Sequence, residues 1–271
     1  MADTTLTDLS LLPERFTPLL TGKLFQPEHY HFLETTPSTN TLAMEAARDG
    51  ASEGTLFVAD RQTQGRGRMQ RRWEAPAGSN LTFSLILRPK LQPQQVPVIT
   101  LMTGVAVLEA LHDHKLKDIR LKWPNDLLIH GKKICGILSE MSLQGSHVSA
   151  VIIGVGININ ALPEAFPKPL SEQLTSLRHQ RGVEVARGDI LAAVLKRFEL
   201  WYGSLLQEGV SPIREAWLKH GPAVGSRVKL SSRHGDREAC FNDLDQDGFL
   251  VVECTDGSRE RILAGDVTPL E

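Results

Sequence analysis

The chain has 271 residues, a formal net charge of −2, 41% hydrophobic residues and 23% charged residues. This composition is typical of a globular protein with a sizeable core, and the length accommodates one large domain and one small domain. A surface without overall positive charge disfavours the binding of a long polyanion as the main function. The three cysteines form no metal-binding or CxxC spacing, and the chain shows no leader-like N-terminus and no 18-residue apolar run. We therefore expect a cytoplasmic protein without a membrane span.

The first part of the chain alternates between helical and extended patterns. Residues 1–28 carry a weak helical pattern, and we expect them either to pack a short helix against the next domain or to fray. Residues 30–34 predict a strand, which leads into a helix that Ser38 or Thr39 can cap. Residues 54–60 predict a second strand, which places the following loop at the edge of a sheet.

That loop is the most distinctive stretch of the chain. Within residues 63–73 lie four arginines, two glycines, a tryptophan and no acidic residue. Glycine allows the backbone to approach a ligand closely, arginine presents a planar fork to phosphate or carboxylate, and tryptophan offers a stacking face. We interpret it as a loop that closes over an anionic, nucleotide-like ligand. A solvated surface loop or a non-specific nucleic-acid patch would have the same composition.

The middle of the chain predicts strands around one buried helix. Residues 80–88 alternate apolar and polar side chains and predict a half-buried strand, whereas residues 98–112 predict an apolar, buried helix. A strand over residues 119–123 runs into a turn that carries Asn125 and Asp126 after a proline.

Two longer strands follow, over residues 127–140 and 147–157, joined by a tight turn. Gly136 in the first of them suggests a close backbone approach. The second ends in a Gly-x-Gly pair that lacks the third glycine of a dinucleotide-binding fingerprint. Residues 161–186 read as a proline-rich loop followed by a polar linker.

The C-terminal part predicts two helices and a small β domain. The helices cover residues 189–206 and 211–220, and Gly221-Pro222 marks a domain boundary. Four short strands beyond it predict a small all-β barrel: 226–230, 238–244, 249–253 and 259–263. The predicted organisation is an N-terminal extension over 1–28, a large domain over 29–220 and a C-terminal domain over 221–271.

Five motifs resemble those of biotin protein ligases in order and spacing. They are Ser38-Thr39-Asn40, Gln62-x-x-Gly65-Arg-Gly-Arg-x-x-Arg-Arg-Trp73, Lys122-Trp-Pro-Asn-Asp126, Lys133-x-x-Gly136-Ile-Leu-x-Glu140 and Gly154-x-Gly-Ile-Asn158. The resemblance implies an α+β fold: a mixed β-sheet flanked by helices, as in class II synthetases and biotin–lipoate ligases, followed by an SH3-like barrel. It also implies an ATP-dependent activation of biotin as biotinyl-5′-AMP and its transfer to one lysine of a biotin carboxyl carrier protein domain.

The resemblance assigns roles to particular residues. Those expected to bind biotin are Ser38, Thr39, Asn40, Gln62, Gly65, Arg66, Gly67, Arg68, Lys133 and Gly136. Those expected to bind ATP are Arg71, Arg72, Trp73, Lys122, Asn125, Asp126 and Asn158. Lys133, Arg68 and Asp126 are the expected catalytic residues. Mg²⁺ is expected with ATP, because it typically bridges phosphate oxygens, without a metal site made by the protein alone.

The residue types fit this chemistry. A carboxylate must attack the α-phosphorus of ATP although both reactants are anionic, so catalysis needs positioning and positive charge rather than a nucleophilic side chain. A lipoate ligase uses the same chemistry but would favour a long apolar slot over polar ureido partners. A nucleic-acid-binding protein and a biotin-responsive repressor are two further candidate functions, and the net charge of −2 disfavours both.

Two regulatory expectations complete the sequence-based prediction. Residues 1–37 are net acidic and too few for a winged helix-turn-helix of roughly 60 residues, which favours a monofunctional ligase without specific DNA binding. Deletion of residues 1–24 is then expected to leave biotin transfer largely unchanged. We expect residues 63–72 to be mobile until an anion compensates their repelling charges. A homodimer is possible.

Overall fold

A seven-stranded mixed sheet forms the centre of the large domain in the computed structural model, which describes residues 8–232 and 235–270. Its strands are β1 (Tyr30–Thr36), β2 (Leu56–Gln62), β3 (Leu81–Leu87), β4 (Ile119–Lys122), β5 (Asp126–Ile129), β6 (Lys132–Gln144) and β7 (His147–Ile157). The strand order is β1-β2-β3-β7-β6-β5-β4, in which β1 and β2 are parallel and the other neighbours are antiparallel. The α+β class with a mixed sheet is thus confirmed.

Helices cover the sheet on both faces. They are α1 (Pro13–Phe16), α2 (Thr39–Arg48), α3 (Pro97–Asp113), α4 (Leu170–Gln173), α5 (Leu177–Arg181), α6 (Arg187–Glu208) and α7 (Ser211–Leu218). Helix α2 packs on β2, β3 and β7, whereas α3 packs on β4, β5 and β6 and is itself covered by α6 and α7. Strand β3, predicted to be half-buried, is therefore buried on both faces: Leu85 and Leu87 enter the main core and Ile86 packs in the smaller cluster under α2.

The predicted apolar helix is the most buried element of the core. By length and composition, the stretch Pro93–Asp113 could cross a membrane, but 78% of its most apolar window is buried inside the protein. Leu101, Met102 and Leu108 are among the side chains that it packs into the main core. Burial against sheet and helices accounts for the uninterrupted apolar sequence.

Local geometry differs from the sequence prediction at three places. The single strand predicted over 127–140 is two strands, because His130 and Gly131 both adopt positive φ and turn the chain. The proline-rich stretch 161–186 contains two short helices, α4 and α5. Ser38 occupies the N-cap position of α2, but its side chain makes no capping hydrogen bond, so the predicted cap is wrong in that respect.

The N-terminal segment packs against the large domain, the first of the two arrangements expected from the sequence. Leu11 and Phe16 are fully buried, and the Tyr30 hydroxyl donates to the Leu11 carbonyl at 2.6 Å. Asp8 accepts from the buried Arg187 guanidinium at 3.0 Å. Residues 1–7 lie outside the described residues.

The C-terminal domain is a five-stranded antiparallel sheet. Its strands are β8 (Arg227–Ser232), β9 (Gly235–Leu244), β10 (Leu250–Glu253), β11 (Arg259–Ile262) and β12 (Asp266–Pro269), in the order β11-β10-β9-β8-β12. Strand β12 is absent from the sequence prediction because it has only four residues and contains Pro269. Trp123 joins the domains, since its Nε1 donates to the Gly248 carbonyl at 3.2 Å.

Candidate active site

A cavity of about 720 Å³ lies between the N-terminus of α2, the arginine loop, strands β6 and β7, and β12 of the C-terminal domain. It brings together residues that are far apart in the sequence, and all but one of the predicted site residues line it: Ser38, Thr39, Asn40, Gln62, Arg66, Gly67, Arg68, Arg71, Arg72, Trp73, Lys122, Asn125, Asp126, Lys133, Gly136 and Asn158. The exception is Gly65. Its carbonyl accepts from the Trp73 amide at 3.0 Å, a hydrogen bond that joins the two ends of the loop.

One end of the cavity is polar and uncharged. Gln62 Oε1 accepts from the Thr39 amide at 2.7 Å and from the Thr39 hydroxyl at 3.1 Å, which fixes the orientation of the Gln62 side chain. Ser38 is only 3% exposed and lines the cavity, and its side chain makes no capping hydrogen bond. This end therefore presents short hydrogen-bonding groups on a rigid helix N-terminus.

Glycines in the two central strands let large side chains lie flat on the sheet. Gly136 and Gly156 are paired across β6 and β7, and Trp73 lies over both. A Cβ atom at Gly156 would come within 2.4 Å of Trp73, and one at Gly154 within 2.0 Å of Asn40 Oδ1. The close approach predicted at Gly136 is confirmed, since a Cβ there would lie 2.9 Å from Lys133 Nζ.

Lys133 stands at the centre of the cavity. Its Nζ is 2.7 Å from Asp126 Oδ1 and 5.9 Å from the centroid of the Trp73 ring. The contact with Asp126 is an ion pair between the ammonium and the carboxylate. Lys133 remains 35% exposed, which keeps the ammonium available to an anionic ligand.

The arginine loop is a closed hairpin whose charges are already paired. The Gly67 amide donates to the Arg71 carbonyl at 2.7 Å. The backbones of Arg66 and Arg72 form an isolated antiparallel β-bridge across the hairpin. Arg66 pairs with Glu140 at 2.9 Å. Carboxylates of the protein therefore compensate part of the charge of the arginines, and the mobility expected for residues 63–72 stays a prediction.

One of these carboxylates comes from the C-terminal domain. Asp266 Oδ2 is 2.7 Å from Arg71 Nη2, and Asp266 Oδ1 is 3.3 Å from Arg68 Nη1. Arg68 also donates to Asn125 Oδ1 at 3.2 Å. Burial lowers the pKa of Arg68, and the neighbouring carboxylates of Asp266 and Asp126 oppose that shift. The guanidinium groups are thus held at one side of Lys133, where phosphates would lie.

The predicted nucleotide residue Asn158 has a different set of contacts from the one expected. Its Oδ1 accepts from Asn80 at 3.0 Å and its Nδ2 lies 3.3 Å from the Lys133 carbonyl. A later segment also contacts strand β6, since the Thr175 amide donates to the Lys133 carbonyl at 2.9 Å. Asn158 borders the cavity but uses its amide to hold the strand that carries Lys133.

Several site residues are absent from the sequence prediction. Ser84 sits behind the polar end, with its Oγ 2.7 Å from Thr39 Oγ1 and 2.5 Å from Asn40 Oδ1. Segment 170–174 adds a wall that includes Leu170 and Leu174. Glu140 and Asp266 pair with the loop as described. Of these residues, Glu140 alone lies within one of the five motifs. No local sequence pattern marks the others, because their partners lie tens to hundreds of residues away in the chain.

Comparisons with known proteins agree with this geometry. A family model described as "Biotin/lipoate A/B protein ligase family" matches residues 32–158, and one described as "Biotin protein ligase C terminal domain" matches residues 224–268. The chain is 36% identical over 240 residues to "Bifunctional ligase/repressor BirA" of Bacillus subtilis, covering 89% of this chain and 74% of that protein. It is 32% identical to "Biotin--[acetyl-CoA-carboxylase] ligase" of Paracoccus denitrificans, covering 87% and 98%.

A solved structure extends the agreement to three dimensions. The biotin protein ligase from Aquifex aeolicus in complex with biotin and ATP superimposes with a TM-score of 0.74 at 28% identity, covering 89% of this chain and 98% of that one. Fold and family model together place the chain among the biotin and lipoate ligases. The C-terminal match and the named relatives then show that it belongs to the biotin protein ligase family.

Proposed function

We propose that this chain activates biotin with ATP to form biotinyl-5′-AMP and transfers the biotinyl group to a lysine of a biotin carboxyl carrier protein domain. The observation that carries the proposal is one cavity that Lys133 lines together with polar side chains, Ser38, Thr39 and Gln62, and with the cationic Arg68 and Arg71. The relatives named as ligases and the Aquifex aeolicus complex with biotin and ATP support it.

In the first half-reaction, a biotin carboxylate oxygen attacks the α-phosphorus of ATP and pyrophosphate leaves. The ureido ring of biotin binds among Ser38, Thr39 and Gln62, which directs the carboxylate towards Lys133. The Lys133 ammonium neutralises charge on the carboxylate and on the α-phosphate as the new bond forms. Arg68 and Arg71 bind the phosphates, and Trp73 packs against the adenine.

In the second half-reaction, the amine of the carrier lysine attacks the acyl carbon of the adenylate and AMP leaves. That amine must lose a proton, because a free lysine has a pKa of about 10.4. Asp126 is the group that we assign to accept it, because its carboxylate lines the cavity beside Lys133.

A magnesium ion fits the site only when it binds together with ATP, because the described residues of the protein alone supply too few ligands. No group of three or more His, Cys, Asp or Glu side chains comes together in residues 8–232 and 235–270. Asp126 supplies one buried carboxylate oxygen, and Mg²⁺ usually takes one or two carboxylates together with substrate phosphates. When bound, the ion would offset negative charge on the phosphates beside Asp126.

The repressor alternative requires a DNA-binding surface. The described residues before β1 form the four-residue α1 and two 3-10 turns, and residues of this segment pack on the large domain. A lipoate ligase function is less well supported, because the end of the cavity expected to hold the ring is polar and the C-terminal domain matches that of biotin protein ligases.

Homodimerisation is a further proposal, through the outer edge of β6. The described strands leave residues 139–144 of β6 unpaired on the side away from β7. Met141 and Leu143 are 42% and 51% exposed there. An unpaired edge with exposed apolar side chains can pair with a second copy. Sedimentation over a range of protein concentrations would test it, and a monomer throughout would contradict it.

A biotin-dependent exchange of pyrophosphate into ATP tests the proposed function. We expect exchange with biotin, much weaker exchange with lipoate, and transfer of biotin to a carrier domain. A gel shift with the promoter of the biotin operon serves as the second arm. Specific, biotin-dependent DNA binding at physiological salt would support the repressor alternative, and absence of exchange would contradict the ligase assignment.

A further inference from the structure

We propose that Glu140 is a positioning residue that sets two walls of the biotin pocket at once, a role that rests on the proposed function. Glu140 lies on β6, opposite Ile152 of β7. A single carboxylate oxygen, Oε2, accepts from Asn40 Nδ2 at 2.8 Å and from Arg66 Nη2 at 2.9 Å. Asn40 and Arg66 line the cavity, whereas Glu140 stands behind them.

The first wall is the amide of Asn40. An ionised carboxylate can only accept hydrogen bonds, so Glu140 forces Asn40 to present its Nδ2 on that side. The Oδ1 atom then faces the Ser84 hydroxyl, 2.5 Å away, which acts as the donor. Asn40 is 4% exposed, and a misplaced amide there would leave buried polar atoms unpaired. Glu140 therefore fixes the orientation of the Asn40 amide in the pocket wall.

The second wall is the start of the arginine loop. Arg66 is flanked by Gly65 and Gly67, which give the backbone little stiffness of its own. Its pairing with Glu140 ties the loop to the sheet at the biotin end, while Asp266 holds Arg68 and Arg71 at the phosphate end. Loss of the Glu140 charge thus loosens the loop beside biotin and leaves the phosphate contacts in place.

The two effects predict a specific kinetic signature. Glu140→Gln keeps the side-chain size but removes the charge, so the neutral amide oxygen that replaces Oε2 is a weaker acceptor for Asn40 and Arg66. We expect the KM for biotin to rise about tenfold, because hydrogen bonds to an ionised group are roughly twice as strong as neutral ones. The KM for ATP and kcat should stay within about twofold of wild type, because Lys133, Asp126 and the phosphate contacts are untouched.

Exchanging the amide at position 40 with the carboxylate at position 140 tests directly whether Glu140 orients the Asn40 amide. Asn40→Asp alone places two carboxylates together and should abolish measurable biotin binding. Asn40→Asp combined with Glu140→Gln restores a complementary pair: the new amide donates to the new carboxylate, accepts from Arg66, and leaves Ser84 its acceptor. The double variant should recover biotin binding relative to Asn40→Asp.

The experiment is biotin-dependent pyrophosphate exchange over separate biotin and ATP titrations, with thermal unfolding of each variant. Glu238→Gln is the matched control, because Glu238 forms an exposed ion pair with Arg227 in the C-terminal domain. If Glu140→Gln does not fold, Arg66→Gln is the second variant. It removes the ion pair between the loop and Glu140 at an exposed position, and it should still raise the KM for biotin selectively.

The proposal is overturned if Glu140→Gln leaves the KM for biotin within about twofold of wild type. It is also overturned if kcat and both KM values change together with a lowered Tm, or if the double variant is no better than Asn40→Asp. Absence of exchange in the wild-type protein would instead contradict the proposed function, so the two failures are distinguishable.

Discussion

Asp266 in the C-terminal domain lies 2.7 Å from Arg71 in the loop of the large domain, and 195 positions separate them in the sequence. The same carboxylate reaches Arg68, and the Gly265 carbonyl accepts from Arg68 Nη2 at 3.2 Å. Asp266 and the Gly265 carbonyl therefore contact the same guanidinium groups that we propose to bind the ATP phosphates. ATP must displace this carboxylate or share the arginines with it.

Asp266→Asn should lower the KM for ATP by up to about fivefold, because a partly exposed ion pair contributes at most about 1 kcal/mol against the incoming phosphate. The measurement is an ATP titration in the pyrophosphate-exchange assay. Asp256→Asn, in an exposed turn of the same domain, is the control. A raised KM would mean that Asp266 positions the arginines for ATP instead of competing with it.

Lys133→Ala should reduce the rate of biotin-dependent pyrophosphate exchange by about 10²–10³ while the protein stays folded. Lys133 is the ammonium that faces the cavity, whereas its neighbour Lys132 points outwards and is exposed. Lys132→Ala is therefore the matched control, with near wild-type exchange expected. Equal rates in the two variants would show that Lys133 is an ordinary surface residue.

Gly156→Ala should weaken ATP binding, because the added Cβ would lie 2.4 Å from the Trp73 ring and displace it. A lost base–aromatic stacking contact costs about 1–3 kcal/mol. The change should appear in the KM for ATP and not in the KM for biotin. Gly203→Ala in α6 is the control, since no atom lies within 4 Å of its added Cβ. Unaltered ATP affinity would place Trp73 away from the nucleotide.

Biotin together with ATP should protect the loop from trypsin. The loop is tied to Glu140 and Asp266 without ligand, and a bound adenylate adds phosphate contacts to Arg68 and Arg71. Cleavage between Arg66 and Arg72 should slow when both substrates are present, and equal cleavage rates would argue against closure. Arg68→Gly should release the adenylate early, which is measured as biotin labelling of a bystander protein; labelling confined to the carrier would contradict this.

Deletion of residues 1–24 should destabilise the protein, which changes the expectation from the sequence that such a deletion leaves biotin transfer largely unchanged. Leu11 and Phe16 are fully buried, and Arg187 would lose Asp8 while keeping Asp60 at 2.7 Å. Loss of one buried phenylalanine alone typically costs about 3–5 kcal/mol.

The point variant Phe16→Ala makes the measurement precise, with thermal unfolding as the readout. Leu19→Ala is the control because Leu19 is 42% exposed. A Tm unchanged in Phe16→Ala and in the deletion would show that the segment contributes no stability.

The sequence by itself determined the family and most of the longer helices and strands. The apolar run in α3, the alternation in β3 and the spacing of the five motifs are properties of short stretches, and short stretches follow from local periodicity and residue type. Because the motifs occur in the order and spacing of one family, residues from Ser38 to Asn158 could be predicted to share a site, and the cavity does bring them together.

Only the tertiary structure decided which charges meet. Asp266 pairs with Arg68 and Arg71 because β12 pairs with β8 and brings its first residue over the loop. Residues 161–186, read as a loop and linker, return to the strand of Lys133 through a bridge at Leu174. These contacts join residues far apart in the chain, and no local pattern encodes them because each depends on how whole elements pack.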